Sequence, residues 1–228
     1  GSSTNQAKGN NSEVILRPVK KYKNPYNSSS QYDYFILCDT WVYDNNNNKI
    51  PHYTNTRVSA ESVFKNSKED KPIFGIEHEF FVFNGDKPLG FKEGSQGQYY
   101  CSVGSENAFG REFLNRVADL CKSIEINITG YNFEVAPGQM EIQLCAEGID
   151  AGDDSLMVKY ILEREGENYG YTINWASKPL EGDWNGSGCH VNFSTKNTRG
   201  EGGYQVILNY MKNLEANHKD HIDVYGED

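Results

Sequence analysis

No run of apolar residues in this sequence approaches the ~18 that a membrane-crossing helix requires, and no basic and then apolar leader heads the chain. A membrane partner is therefore not expected. Cationic side chains are also scarce. Lys and Arg number 22 against 32 Asp and Glu, a net charge of −10, which argues against a nucleic-acid partner because phosphate contacts need a basic surface. Such a balance suits cations better. The five cysteines (Cys38, Cys101, Cys121, Cys145 and Cys189) are odd in number and include no Cys-x-x-Cys pair. They sit in apolar segments, the pattern of reduced thiols in a soluble cytoplasmic protein. There are no internal repeats. An initiating Met is absent as well: the chain opens at Gly1, compatible with a tag remnant, a processed end or the interior of a longer protein. Its 228 residues are enough for one large domain or parts of two.

Glu13 to Val19 and Tyr34 to Tyr43 are β-rich, joined by a polar loop with Pro25 and Ser28-Ser29-Ser30. Asn45 to Asn48 reads as a solvated turn and a domain boundary. Helical spacing over Arg57 to Phe64 leads through a charged connector to Ile73–Phe83, dense in β-formers and bounded by Pro72 and Asn84-Gly85. Gly90 to Ser105 reads as irregular. From Ser105 to Ile124, the spacing of Phe109, Phe113, Leu114, Val117, Leu120, Cys121 and Ile124 predicts an amphipathic helix with a Ser N-cap. Tyr131 to Ala136 and Met140 to Leu144 read as short strands about a Pro137-Gly138 turn. Asp153 or Asp154 is expected to cap a helix reaching Tyr169, with Gly170 past its end. A last helix, Tyr204 to His218, is expected to turn Tyr204, Ile207, Leu208, Met211 and Leu214 inward.

The chemistry concentrates in two places. In Lys178 to Ser194, a glycine-rich turn, Trp184-Asn-Gly-Ser-Gly188, precedes an alternating strand. Gly188, His190, Asn192 and Ser194 fall on one side of that strand, and Cys189, Val191 and Phe193 on an apolar, packed side. Taken alone, this is most simply a half-exposed strand. The second place is a set of carboxylates. Glu77 and Glu79 share one face of an otherwise apolar strand, where like charges repel unless something positive lies between them. Glu134 and Glu141 are likewise embedded in apolar segments, and Gln143 follows Glu141 on its face. Four such carboxylates with His190 are costly to bury unless they bind a cation. Oxygen ligands with one imidazole suit Mg2+ or Mn2+. His78 points away from its flanking glutamates, and with His52, His218 and His221 it is given no role.

These stretches resemble the glutamine synthetases of the eukaryotic type. The resemblance is carried by Gly1-Ser-Ser-Thr with Asn11-Ser-Glu13, by Cys38-Asp-Thr40, by Phe74-Gly-Ile-Glu77-His-Glu79, by Tyr99-Tyr-Cys101, by Asn132-Phe-Glu134-Val-Ala-Pro-Gly-Gln-Met-Glu141 and by Lys178 to Ser194. It runs from Gly1 to about Tyr225. It implies an α+β fold: a curved, mainly antiparallel sheet with helices outside in residues 49–228, preceded in 1–48 by the end of a small β-grasp domain. It implies an ATP-dependent ligase that joins L-glutamate and ammonia through γ-glutamyl phosphate, with Mg2+ or Mn2+, as a homo-oligomer of stacked rings. Carried over by position, Glu77 and His190 would hold the ion at the γ-phosphate, and Glu79, Glu134 and Glu141 the ion on the glutamate side. Glu77, Glu141, Gln143, Asn192, Phe193 and Ser194 would line the nucleotide site, and Trp184, Asn185 and Gly186 would hold glutamate.

His78 stands for the family's usual Gln, Ile73 for a common Trp and Asp183 for an Asn, and Met157 and Ser177 alter neighbouring motifs; no metal ligand is lost. The family's ammonium-site Asp, flap Glu, last metal Glu and several arginines would lie outside the chain, in which Arg199 is the one arginine after His190. The chain is thus expected to be a central fragment, inactive alone. A non-catalytic relative and a γ-glutamyl ligase for another amine are the alternatives.

Overall fold

The computed structural model describes residues 5, 9–10, 13–27, 29, 32–92 and 96–225. The motifs Gly1-Ser-Ser-Thr and Asn11-Ser12 lie outside the described residues. Two compact units emerge, one from Gly1–Lys68 with Ser123–Glu125 and the other from Glu69–Lys122 with Ile126–Asp228.

In the first unit, β1 (Ile15–Lys23), β2 (Tyr34–Tyr43) and β3 (Lys49–Pro51) form an antiparallel sheet in that order. The asparagine run is the turn between β2 and β3: the Asp44 carboxylate accepts the amides of Asn46 (2.9 Å) and Asn48 (2.8 Å), which closes a tight loop. The boundary expected after Asn48 therefore falls in a hairpin, and the unit continues through α1 (Arg57–Asn66) to Lys68. Its polar anchor is the buried Asp39, which accepts Arg17 Nε at 3.0 Å and Trp41 Nε1 at 2.6 Å. Burial alone would raise the Asp39 pKa, but the hydrogen bonds from Arg17 and Trp41 hold it below the usual carboxylate range.

The second unit is organised on β4 (Ile73–Asn84). One edge pairs with β7 (Gln139–Glu147) and, at its end, β5 (Lys87–Pro88); the other pairs with β9 (Cys189–Ser194) and β8 (Thr172–Asn174). Next to β7 lies β6 (Ile128–Phe133), and every pairing is antiparallel. The chain is thus a mixed α and β protein with antiparallel sheets, as the resemblance implied. The short strands β5 and β8 carry no recognisable sequence pattern. Alternation places His78, Phe80 and Val82 on the face of β4 opposite Glu77 and Glu79, and all three are buried. Helix α3 (Asp150–Tyr169) covers that face, with Ser155 hydrogen-bonded to His78 Nε2. The core joins Phe80, Val82, Ile142 and Leu144 of the sheet to Val158, Ile161 and Leu162 of α3.

Four expectations are corrected. Helix α2 begins at Arg111 and ends at Ser123, not at a Ser105 cap. Gly110 (φ +81°) adopts a left-handed conformation that interrupts a right-handed helix, and a Cβ there would meet Met140 Cε at 2.6 Å. Helix α3 starts at Asp150, so Asp153 and Asp154 lie buried within it and do not cap it; its end before Gly170 is as expected. Helix α4 (Gly203–Ala216) is followed by a separate short α5 (His218–Ile222), and its apolar residues Tyr204, Ile207, Met211 and Leu214 are exposed. The apolar face of β9 is likewise open: Val191 is 57% and Phe193 50% exposed, although Phe193 lies 5.0 Å from Phe74 between ring centroids. Periodicity establishes that such residues share a face; it does not supply the element that covers it.

Phe80→Ala is expected to destabilise the protein by about 3–5 kcal/mol, since its ring is fully buried against Trp175 and truncation leaves a cavity. Met211→Ala should cost under about 0.5 kcal/mol because it removes exposed surface. Urea denaturation of both variants measures the difference.

Candidate metal centre

Register places the acidic and polar residues on one side of adjacent strands. Glu77 lies opposite His190 on β9 and Gln143 on β7; Glu79 lies opposite Glu141, and Glu141 opposite Asn132 on β6. Glu134 follows the end of β6 and is buried, as is Glu141. The Glu77 side chain is 28% exposed and that of Glu79 9%, whereas the His190 ring is 67% exposed. The result is a basin with carboxylates in its floor and an imidazole at its rim.

The closest pair is His190 Nδ1 with Glu77 Oε2, at 3.3 Å; the same nitrogen is 3.9 Å from Glu79 Oε1. Asn192 donates to Glu77 Oε1 at 2.6 Å. Glu79 Oε2 accepts the backbone N–H of Gly188 and the Gln139 amide, each at 3.1 Å. Glu134 accepts Asn132 Nδ2 at 3.0 Å and the Val135 N–H at 3.2 Å, and Gln143 donates to Glu141. Each carboxylate thus has a neutral donor. Among the described residues, none of the four carboxylates has a Lys or Arg side chain as its ion-pair partner.

The electrostatic consequence is a raised pKa at two of them. Burial raises Glu134, and the charges of Glu79 and Glu141 raise it further against its two hydrogen bonds. Burial likewise raises Glu141, which is then lowered by Gln143 and raised by Glu77 and Glu79. Mutual repulsion of this kind favours a cation among the carboxylates. Among the described residues, no three of His, Cys, Asp and Glu stand close enough to hold one ion together as they are. The fit is therefore pairwise: His190 reaches Glu77 and Glu79, and Glu134 and Glu141 couple to Glu79 through their charges.

The remaining candidates lie around this basin. Ser194 Oγ accepts Arg199 at 2.8 Å. Asn192 engages Glu77, and Gln143 engages Glu141. Phe193 points to the other side of β9 and is half-exposed. The Trp184 ring packs 5.1 Å from Phe91 between centroids, and the Asn185 N–H reaches Gln96 Oε1 at 2.7 Å. Gly186 has no room for a side chain: a Cβ would sit 2.7 Å from the Ser177 carbonyl. His78 faces away from the basin, as expected; burial lowers its pKa to about 4.

Two residues near the carboxylates were not anticipated. Tyr100 has a raised pKa, chiefly from Cys101 and then from Glu134, with a smaller effect of Glu141, so it lies within electrostatic reach of those carboxylates. Gln139 is fully buried and bonds to Glu79, Gly186, Asn185 and Ala136. Its parity with Glu141 and Gln143 was the available signal, obscured by starting the strand at Met140.

Because Glu134 is raised in the folded state, its neutral form supports the fold. That support is complete below the ordinary carboxylate value of 4.5 and is lost as pH rises through the higher folded value. Glu134→Gln should therefore stabilise the protein at pH 7 without divalent ions, with the gain vanishing below about pH 4. Urea denaturation at the two pH values checks the sign; an equal effect at both would refute it.

Comparison with known proteins bears on what such a basin does. The family model of the glutamine synthetase catalytic domain matches residues 54–203. A relative from Acanthamoeba polyphaga mimivirus is 46% identical over 232 residues, covering all of this chain and 64% of its own. A glutamine synthetase of Agaricus bisporus is 42% identical over 234 residues, again the whole of this chain and 64% of its own. The chloroplastic/mitochondrial glutamine synthetase of Arabidopsis thaliana is 43% identical over 236 residues, all of this chain and 54% of its own. The chain thus spans between about half and two thirds of these relatives' lengths.

Proposed function

We propose a function from one premise: the chain belongs to the glutamine synthetase family. The activity is the ATP-dependent amidation of L-glutamate by ammonia through γ-glutamyl phosphate. The observation that carries this reading is the basin itself: Glu77, Glu79, Glu141 and His190 lie on neighbouring strands and Glu134 just past the end of β6, with side-chain amides bonded to the four carboxylates. In this reading Glu77 and His190 hold one divalent ion and Glu79, Glu134 and Glu141 another, Mg2+ or Mn2+ by the hardness of the oxygen donors. Bound there, such ions neutralise phosphoryl charge and keep the attacking oxygen in line.

The chain's own groups supply the positioning. Asn192 fixes one Glu77 oxygen and leaves the other toward His190. The Gly188 N–H and the Gln139 amide fix one Glu79 oxygen and leave Oε1 free to face the basin. Gln143 and the polar edge of β9 through Ser194 form the nucleotide side, while Trp184, Asn185 and Gly186 form the glutamate side. Association of copies belongs to the same reading, supported by Leu16, Tyr34 and Ile36, which lie exposed on the three-stranded sheet. A reducing compartment, the cytoplasm, fits five free cysteines. One observation favours a non-catalytic relative instead: among the described residues, no three of His, Cys, Asp and Glu stand within reach of a single ion.

Mn2+ titration followed by electron paramagnetic resonance separates the two. The ligase reading expects Mn2+ uptake that Glu79→Ala abolishes and His78→Gln leaves intact, since His78 faces α3. In the protein carrying this chain, glutamine formation from glutamate, ammonium and ATP should fall at least about 10²-fold in Glu79→Ala, the scale of losing a contact to developing charge. No Mn2+ uptake, or equal losses from both substitutions, would reject the reading.

A further inference from the structure

Gln139 is the most completely engaged polar side chain near the basin. It opens β7, opposite Phe81, and has no exposed surface. Its Nε2 donates to Glu79 Oε2 at 3.1 Å and to the Gly186 carbonyl at 2.9 Å. Its Oε1 accepts Asn185 Nδ2 at 3.0 Å and the Ala136 N–H at 3.2 Å. Both hydrogens of the amide group are thereby used, and both lone pairs of the oxygen. An amide can do this and its isosteres cannot: Glu lacks the donors, and Met lacks donors and acceptors alike.

These partners belong to different parts of the basin. Glu79 sits on the central strand, Ala136 is in the turn before β7, and Asn185 and Gly186 are in the glycine-rich loop before β9. The loop returns to the same carboxylate, because Gly188 donates its N–H to Glu79 Oε2. Glu79, Gln139 and residues 185–188 therefore form a closed ring of hydrogen bonds. Loops without regular structure hold their shape through such contacts, and a buried polar network is rigid only when every member is satisfied.

We propose that Gln139 is a positioning residue that locks the Glu79 carboxylate to the Asn185–Gly188 loop, so that the ion-binding and glutamate-binding sides of the site keep one geometry. The roles of those two sides rest on the ligase reading; the mechanical coupling does not. Gln139 is fully buried with its amide committed to protein partners, and it acts through them, as outer residues do when they orient a metal ligand.

The test uses Gln139→Glu, which keeps the acceptor for Asn185 and Ala136 but removes the donor to Glu79 and Gly186. Two readouts are taken: amide hydrogen exchange at Asn185 and Gly188, and Mn2+ affinity. Faster exchange at both amides and a loss of Mn2+ affinity of about 10- to 100-fold are expected, with exchange unchanged at the α3 amides and at the β4 amides other than Glu79, whose N–H is bonded to the Gly188 carbonyl. Unchanged exchange at Asn185 and Gly188 overturns the proposal, whatever happens to Mn2+. Faster exchange in the variant, with no Mn2+ uptake even by the unaltered protein, supports the coupling and rejects the metal reading. Should Gln139→Glu fail to fold, Asn185→Ala cuts the ring from the loop side, where the chain is only half-buried. Faster exchange at Gly188 then supports the proposal, and exchange matching the unaltered protein overturns it.

Discussion

Carboxylates forced onto one face of a strand repel, and everything around β4 answers that repulsion. Glu77 and Glu79 lie about two strand rises apart, roughly 7 Å along the chain, and the pairing of β7 and β9 brings Glu141 and His190 to their sides. The surroundings soften the charge with amides: Asn132, Gln139, Gln143 and Asn192 each donate to one acid. Amides stabilise carboxylates without neutralising them. Lys or Arg at the same positions would lower the acids' energy further, but would also occupy the space and charge that a cation needs. Neutral donors leave that space and charge open to a cation.

The opposite face of β4 explains why the basin can be built at all. Phe80 and Val82 are completely buried, and His78 nearly so. The strand is held through this face beneath α3, while on the other face the Glu77 side chain stays partly exposed. His78 belongs to the holding side: Ser155 takes one ring nitrogen, and Cys189 Sγ lies 3.6 Å from the other. Burial keeps the ring neutral near pH 7 by lowering its pKa to about 4. A charge beneath the strand would otherwise compete with any cation above it. A neutral, hydrogen-bonded side chain is what this position requires, and the uncharged amide usual in the family meets the same need.

How much of this was legible follows from which patterns are local. Alternation in residues 73–83 and 189–194 assigned faces correctly, so Glu77, Glu79 and His190 share a side as expected. The turn at Pro137-Gly138 and the end of α3 at Gly170 were equally readable, because each depends on the residue present. The start of α2 was not: an apolar stripe continues through Phe109, but the left-handed Gly110 reflects packing against Met140 and Leu89. The outward face of α4 and of β9 failed for a related reason, since an amphipathic period is indifferent to what meets it. Gln139 was missed because its significance is a set of four partners from three segments, which no spacing reveals.

That contrast bears on how the glycine-rich loop acquires its shape. A glycine loop has more conformations to lose on ordering than any other sequence of its length, so the composition that lets its backbone approach a ligand also works against a fixed geometry. Gly186 meets this in two ways. Its missing Cβ allows contact with the Ser177 carbonyl, and its own carbonyl is taken by Gln139. Gly188 then delivers its N–H to Glu79. Two side chains of the sheet hold the loop, at the backbone of Gly186 and Gly188 and at the Asn185 amide, and Trp184 is left to pack against Phe91. Changes to Gln139 or Glu79 should therefore disturb the loop more than most changes within the loop itself, because the constraint lies in the rigid partner.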